Sequence, residues 1–275
     1  MDTVAQALIM GIVQGLTEFL PVSSSGHLIL APFLFGWHDP FIDSLAFSVM
    51  LHIGTLLALL IYFWADWLRL VPAGLAALRD RSLRADPDRR LAWLLLTATV
   101  PAAVAGVLLN DLIETNVREV GLVAATLVVG GGILWLADRR GARSKDVADI
   151  SFPVAIGIGA AQALALVPGI SRSGISISAA RVAGLDREAA ARFSFLMATP
   201  VTTGAAIFEL RKLVTGEAGV NVAMGPLVAG TIAAFLSGML AIGVLLRYVR
   251  TRSLDIFVWY RLALAAVVLI VWLAR

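Results

Sequence analysis

Gln14-Gly15-Leu16-Thr17-Glu18-Phe19-Leu20-Pro21-Val22-Ser23-Ser24-Ser25-Gly26-His27 interrupts an apolar run that extends over residues 4–37. A carboxylate, a proline, three serines and a histidine sit where the flanking residues would enter lipid. Proline and glycine break a helix, and neither apolar half reaches the roughly 20 residues a spanning helix needs. Irregular backbone at membrane depth survives only where protein buries it or where it lines a cavity. Residues 4–37 are therefore predicted to form a re-entrant helix–loop–helix hairpin. Residues 152–185 repeat the design around Pro168-Gly169-Ile170-Ser171-Arg172-Ser173-Gly174. A shift of 148 residues aligns Gly11 with Gly159, Gln14 with Gln162, Ser25 with Ser173, Gly26 with Gly174 and Gly36 with Gly184.

The rest of the chain supports a membrane reading. Of 275 residues, 59% are hydrophobic and 15% charged, with a mean hydropathy of +0.88; a soluble domain carries roughly 25% charged residues. Six segments read as full spans, at 41–65, 91–110, 119–137, 190–210, 222–246 and 256–274. The expected fold is an all-α polytopic membrane protein of six transmembrane helices plus two re-entrant hairpins. It forms a single membrane domain over 1–275, with one repeat near 1–138 and a second near 150–275. Each hairpin precedes three spans, and an odd number makes the second half enter from the opposite side. That is an inverted-topology repeat, with the broken elements meeting near the midplane.

Charge fits this topology. Arg69, Arg79, Arg81, Arg84, Arg89 and Arg90, then Arg139, Arg140, Arg143 and Lys145, then Arg187, Arg192, Arg247, Arg250 and Arg252 all fall on one side. The opposite loops hold Arg118 beside Asp111 and Glu114, and Arg211 with Lys212. The arginine-rich side is then cytoplasmic, and both termini face outward. The net charge of +3 and pI near 9.8 reflect these loops, and no nucleic-acid partner is expected. The absence of cysteine excludes disulfides, thiolate metal sites and cysteine nucleophiles. The first residues lack a basic stretch, and the apolar run after them carries Gln14 and Glu18, so no cleaved signal peptide is expected.

Gln14 and Glu18 are four residues apart and share a helix face. A carboxylate at membrane depth costs several kcal/mol, which makes it a functional candidate. Glu18 suits a divalent cation or a general base. A serine suits a nucleophile, with His27 or Glu18 taking its proton, and His27 also suits a proton donor to a leaving group. The structural alternatives are serine and glycine serving close helix packing, and Glu18 pairing with Arg172 to hold the hairpins together.

In the second motif a glycine-rich turn leads into a helix whose N-terminus attracts anions. Arg172 adds a fork of donors suited to phosphate oxygens, and Ser171, Ser173, Ser176 and Ser178 add hydroxyls. No Walker lysine is present, so nucleotide binding is not implied. Helix capping by Ser171 and Ser173 is the structural alternative. His52, with Ser48 and Thr55 on its face, is expected to make an interhelical hydrogen bond, with lining of the cavity as the alternative. Asp43 and Glu209 fall near outer span ends, and the tryptophans and terminal arginines read as interface anchors.

Together the motifs resemble those of the undecaprenyl-diphosphate phosphatase, or bacitracin-resistance, family. Its first motif is matched by Gln14 to Glu18 and Pro21 to His27, and its second by Pro168 to Ser176. The stretch Ala191-Arg192-Phe193-Ser194-Phe195-Leu196-Met197-Ala198-Thr199-Pro200 also looks like the family's, and the resemblance covers essentially the whole chain. It implies a bacterial inner-membrane enzyme that hydrolyses undecaprenyl diphosphate to the monophosphate carrier lipid and inorganic phosphate. Such an enzyme recycles the carrier for cell-wall synthesis and confers bacitracin resistance. It also implies an outward-facing site and dependence on Mg2+ or Ca2+. By that resemblance Glu18, Ser24, His27 and Arg172 are catalytic. Ser23, Ser25, Gly169, Ser171, Arg172, Ser173 and Ser176 bind substrate phosphate, and Glu18 with Gln14 would hold the cation. Gln14 stands where many members have glutamate, which weakens a two-carboxylate metal site. Ser25 and Ser176 replace frequent threonines and keep the hydroxyl.

The implied mechanism seats the diphosphate between the hairpins with its prenyl tail among the spans. Serine, histidine and water remain open as nucleophile. A transporter or flippase is the rival, because broken helices at the midplane of an inverted repeat are also a transporter signature. A homo-oligomer is left open.

Overall fold

In the computed structural model, the described residues are 2–83, 86–116, 119–141, 144–214 and 223–275. Arg84, Arg118 and Arg143 lie outside them, as do the side chains of Asp111, Glu114, Glu209 and Lys212. The described residues form helices α1 (Thr3–Phe19), α2 (Ser24–Phe35), α3 (Leu45–Tyr62), α4 (Trp64–Asp80), α5 (Pro87–Asn116), α6 (Val120–Arg140), α7 (Phe152–Gln162), α8 (Arg172–Val182), α9 (Arg187–Val214), α10 (Met224–Val249) and α11 (Asp255–Ala274). No strand occurs among them.

Pro87–Leu109, Val120–Arg140, Met224–Val249 and Asp255–Ala274 are long and apolar enough to cross a bilayer. Residues Ala46–Tyr62 and Trp64–Asp80 make a further span if counted together, bent by 81° between them. Packing on α10 follows membrane rules. Gly230, Ala233, Ala234, Gly238 and Ala241 face inward, while Leu236, Leu240 and Val244 point outward at more than half exposure. Small residues let helices approach, and lipid takes the large ones. The core centres on Phe19, Phe63, Phe193 and Phe195, with Phe19 and Phe195 edge to face at 5.5 Å.

Residues 66–90, read from the sequence as a loop, are mostly helix. In α4, Trp64, Leu68, Val71, Leu75 and Leu78 recur at helical spacing and all stand more than half exposed. An apolar stripe beside arginines suits the membrane interface, and the arginines hid its period from a search for spans. The expected span at 190–210 coincides with α9. Arg192, Ser194, Thr199 and Thr202 along it keep it from reading as an uninterrupted apolar helix.

Both predicted breaks form. α1 has 17 residues and α2 has 12, about 26 and 18 Å at 1.5 Å per residue, short of the roughly 30 Å hydrocarbon core. The second break runs from α7 through a 3-10 turn, Ala163–Leu166, to α8. Across the 148-residue shift the backbones share several features, although α1 is continuous to Phe19 where α7 gives way to the 3-10 turn after Gln162. Gly36 caps α2 at φ +65°, and Gly184, one residue past the Ala183 cap of α8, stands at φ +101°. A Cβ on Gly11 would lie 2.2 Å from the Gly230 carbonyl oxygen of α10, and one on Gly159 would lie 1.9 Å from that of Ala98 in α5. Each half thus sets its broken helix against a span of the other half.

The two ends of the molecule differ in charge. At one, Arg192 bonds Asp66, Arg250 bonds Glu188, and Asp138 accepts from Arg181, Arg187 and the Leu254 amide. These contacts join the loops predicted to share the basic side. At the other end, Thr3 Oγ1 donates to Asp39, just past α2, at 2.8 Å and Arg275 to the Phe33 carbonyl in the last turn of α2 at 2.8 Å.

Candidate active site

Each break starts its second helix with a serine cap. Ser23 at φ +77° accepts the Gly26 amide at 3.3 Å, and Ser171 at φ +78° accepts the Gly174 amide at 3.1 Å. A positive φ is rare for serine. The cap contributes about 1 kcal/mol and satisfies an amide that lipid would leave bare. The two loops are also stitched together. The Gly169 amide donates to Ser23 Oγ at 3.1 Å, and Ser173 Oγ donates to the Leu20 carbonyl at 3.1 Å.

Breaking a helix also orphans carbonyls, each costing several kcal/mol in hydrocarbon if left unsatisfied. Arg261 on α11 answers this. It is fully buried and donates from Nη1 to the Pro21 carbonyl at 3.3 Å. Its Nη2 donates to Gly169 and Ile170 at 2.7 and 3.0 Å, and its Nε to Leu127 at 3.1 Å. One guanidinium therefore locks both breaks to α6. Sequence reasoning missed it, although an arginine seven residues into an otherwise apolar span is itself a signal. Thr126, also missed, donates to the Pro168 carbonyl at 2.6 Å.

In front of these loops lies a cavity of about 330 Å³ whose walls include Glu18, Ser24, His52, Gln162, Arg172 and Thr202. Arg172 donates from Nη2 to Glu18 Oε1 and from Nη1 to Thr202 Oγ1 at 2.6 Å. Glu18 Oε2 accepts from Ser24 Oγ at 2.5 Å and from Gln14 Nε2 at 3.0 Å. The pairing of Glu18 with Arg172, the structural alternative weighed for Glu18, thus forms, and it forms on the cavity wall. α2 begins at Ser24 and α8 at Arg172, so two helix N-termini with unpaired amides open on the same space. That concentrates positive potential where an anion would sit.

The other predicted residues divide. Ser25 and Ser171 line the cavity. Gln14 stands behind Glu18, fully buried, while Ser23, Gly169 and Ser173 hold the loops. Ser176 is buried behind α8, donating to the Arg172 carbonyl at 2.6 Å and meeting Ser194 Oγ at 2.6 Å. It supports Arg172 and does not face the cavity. His27 is also set back. Its Nδ1 donates to the Ser23 carbonyl at 2.7 Å, and its Nε2 lies 2.7 Å from the Tyr260 hydroxyl. A carbonyl can only accept, so Nδ1 carries the proton and Nε2 of the neutral ring accepts from Tyr260. His52 departs from its expected interhelical bond: Nδ1 donates to the Ser48 carbonyl of its own helix at 2.8 Å, and Nε2 faces Glu18 at 3.9 Å.

A serine hydroxyl against a carboxylate, with an arginine and two helix N-termini beside it, can bind an oxyanion and transfer a proton from the serine. The donor set does not fit a cation held by protein alone. Among the described residues no three His, Asp or Glu side chains cluster. Both oxygens of Glu18 are taken by Arg172, Ser24 and Gln14.

The model of the family described as bacitracin resistance protein BacA matches residues 7–267. The chain is 46% identical over 270 residues to an undecaprenyl-diphosphatase of Desulforudis audaxviator, covering 98% of each protein. It is 47% identical over 266 residues to an undecaprenyl-diphosphatase of Gemmatimonas aurantiaca, covering 97% of each. It is 40% identical to undecaprenyl-diphosphatase 2 of Streptomyces coelicolor, covering 96% of this chain and 93% of that protein.

Proposed function

The chain belongs to the bacitracin resistance protein BacA family, and from that premise we propose that it hydrolyses undecaprenyl diphosphate to undecaprenyl phosphate and inorganic phosphate. The observation that carries the reading is the meeting of Glu18 and Ser24 from one break with Arg172 from the other at one cavity. In a bacterium this reaction returns the carrier lipid to cell-wall synthesis. Removing free undecaprenyl diphosphate also accounts for resistance to bacitracin.

In the proposed reaction the diphosphate enters between the breaks, and its oxygens replace Glu18 on the Arg172 fork. The Ser24 and Arg172 helix ends add amide donors; phosphoryl transfer rests mostly on such positioning and electrostatics. The carboxylate released by Arg172 takes the Ser24 proton at Oε2, and Ser24 Oγ bonds to the terminal phosphorus. The bond from that phosphorus to the bridging oxygen breaks, and undecaprenyl phosphate leaves. Water then attacks the phosphoserine and the bond from phosphorus to Ser24 Oγ breaks; Ser24 recovers its proton from Glu18, and the proton shed by the water leaves on the inorganic phosphate as dihydrogen phosphate. His27, engaged at both nitrogens, positions the Ser23 loop against Tyr260. A neighbouring cavity of about 380 Å³ shares Ser25, Ser48 and His52 with the site and is walled by Met10, Leu28, Phe47 and Leu51. Its apolar walls suit isoprenoid carbon.

Dependence on Mg2+ or Ca2+ is proposed to come with the substrate, since the described residues offer no cluster of three His, Asp or Glu side chains. Mg2+ is typically held by one or two carboxylates together with substrate phosphates.

We propose with it an inverted repeat, the reading that the matched breaks favour, of six spans and two re-entrant hairpins in the inner membrane, with the site open to the outer side. Phosphate release from undecaprenyl diphosphate by purified protein tests the function. Release that Glu18→Ala and Arg172→Ala both abolish in folded protein is expected. No release by folded wild type would sink the enzyme reading in favour of a transporter.

A further inference from the structure

Gln162 ends α7 and is 3% exposed. It lines the cavity that holds Glu18, Ser24 and Arg172. Neither its amide nitrogen nor its amide oxygen has a hydrogen-bond partner within the protein. A buried unpaired amide costs about 1–3 kcal/mol, so a site that keeps one points to a ligand that satisfies it.

Its origin in the chain explains why it is free. Gln162 is the 148-residue counterpart of Gln14. Gln14 is partnered on its nitrogen, which donates to Glu18 one turn on. At the matching position of the second break stands Leu166, which also lines the cavity. Leucine offers no acceptor, so Gln162 keeps its position beside the site and has lost its internal partner.

We propose that Gln162 is a substrate-binding residue whose Nε2 donates to a phosphoryl oxygen of the lipid diphosphate, beside the Arg172 fork. This rests on the phosphatase reading above. Gln14 braces the carboxylate on one side of the substrate, while Gln162 contacts the substrate itself on the other. A glutamine amide suits that task because it adds a directed donor without a second cation. A further arginine or lysine there would compete for Glu18.

The test measures kcat, KM and thermal unfolding for Gln162→Met and Gln162→Glu with undecaprenyl diphosphate in detergent. Methionine keeps the length and loses the donor. Because the amide bonds nothing in the protein, Gln162→Met should melt at or above the wild-type temperature. Its kcat/KM should fall about ten- to a hundred-fold, the worth of one hydrogen bond to a charged group, mostly through KM. Gln162→Glu loses the donor and adds repulsion, so its fall should be larger. Wild-type kcat/KM in either variant would overturn the inference alone. So would parallel loss of melting temperature and activity in Gln162→Met, which would assign the side chain to packing. No phosphate release by folded wild type would overturn the phosphatase reading and this substrate contact with it.

Discussion

Replacing Arg172 by methionine separates what the Glu18–Arg172 pair does for stability from what it does for chemistry. Glu18 is the buried member, its side chain 4% exposed against 22% for Arg172. Removing Arg172 leaves the carboxylate with donors from Ser24 and Gln14 only. Breaking a buried pair costs about 3–5 kcal/mol, and the two surviving donors favour the lower end. At about 2–4 °C per kcal/mol for a chain of this size, Arg172→Met should melt about 6–12 °C below wild type. Glu18→Gln is milder, about 1 kcal/mol, because Arg172 keeps Thr202 and reaches the cavity. Adding the two would predict about 4 kcal/mol. The double variant should lose only about 2, since neighbours that share an interaction couple by 0.5–3 kcal/mol. Tryptophan fluorescence on heating in detergent reads this, and phosphate release is measured on the same samples. All three variants should be inactive, including the double variant with its partly restored stability. Wild-type stability in Arg172→Met would refute the buried pair, and phosphatase activity in the double variant would refute the site.

Gly130→Ala places a Cβ 2.1 Å from Arg261 Nη2 and 2.8 Å from the Ile170 carbonyl, so it should displace the lock and abolish phosphate release. Gly132→Ala meets nothing within 4 Å and should match or exceed wild-type stability by up to about 1 kcal/mol; equal behaviour of the two would refute the lock. Acid quenching during turnover should leave phosphate on Ser24, read by mass spectrometry, and a phosphohistidine instead would reassign the nucleophile. Calorimetry should detect no tight Mg2+ or Ca2+ binding to the apoprotein and tight binding once a diphosphate analogue is present; tight binding without the analogue would refute the reading that the cation comes with the substrate. Because the chain lacks cysteine, single cysteines at Asp39 and Arg79 report topology: an impermeant thiol reagent on spheroplasts should label position 39 only, and labelling of position 79 instead would invert the orientation.

The breaks were legible in the sequence because proline, glycine and serine at fixed spacing inside apolar runs leave little else to form. The Glu18–Arg172 meeting was legible as well, because an intramembrane carboxylate needs a partner and the chain offers few. What escaped depended on distance in space. Arg261 acts on backbone carbonyls, and no side-chain type at Pro21, Gly169 or Ile170 marks them as acceptors. Tyr260 reaches His27 across 233 positions of sequence, so His27 read as a proton acceptor or donor of the site when its ring is occupied on both sides. Ser176 carries a phosphate-site spacing, but the helix turns its hydroxyl toward Ser194. α4 was lost to its arginines.

The 148-residue correspondence also explains the chemistry of the site. Ser24 and Arg172 occupy equivalent first positions of α2 and α8 behind equivalent serine caps, and Glu18 and Leu166 are equivalent positions before them. Two identical halves would fail in either form. Two copies of Glu18 with Ser24 would face a diphosphate with two carboxylates and no cationic side chain, and two copies of Arg172 with Leu166 would bind it with nothing to take a proton. Like charges a few ångströms apart in a medium of low dielectric constant also repel strongly. A pair of opposite sign is neutral in the resting site, and it separates into a phosphate ligand and a proton acceptor when a diphosphate takes the arginine. The shared backbone supplies two anion-binding helix ends, and the divergence at these two pairs of positions turns binding into transfer.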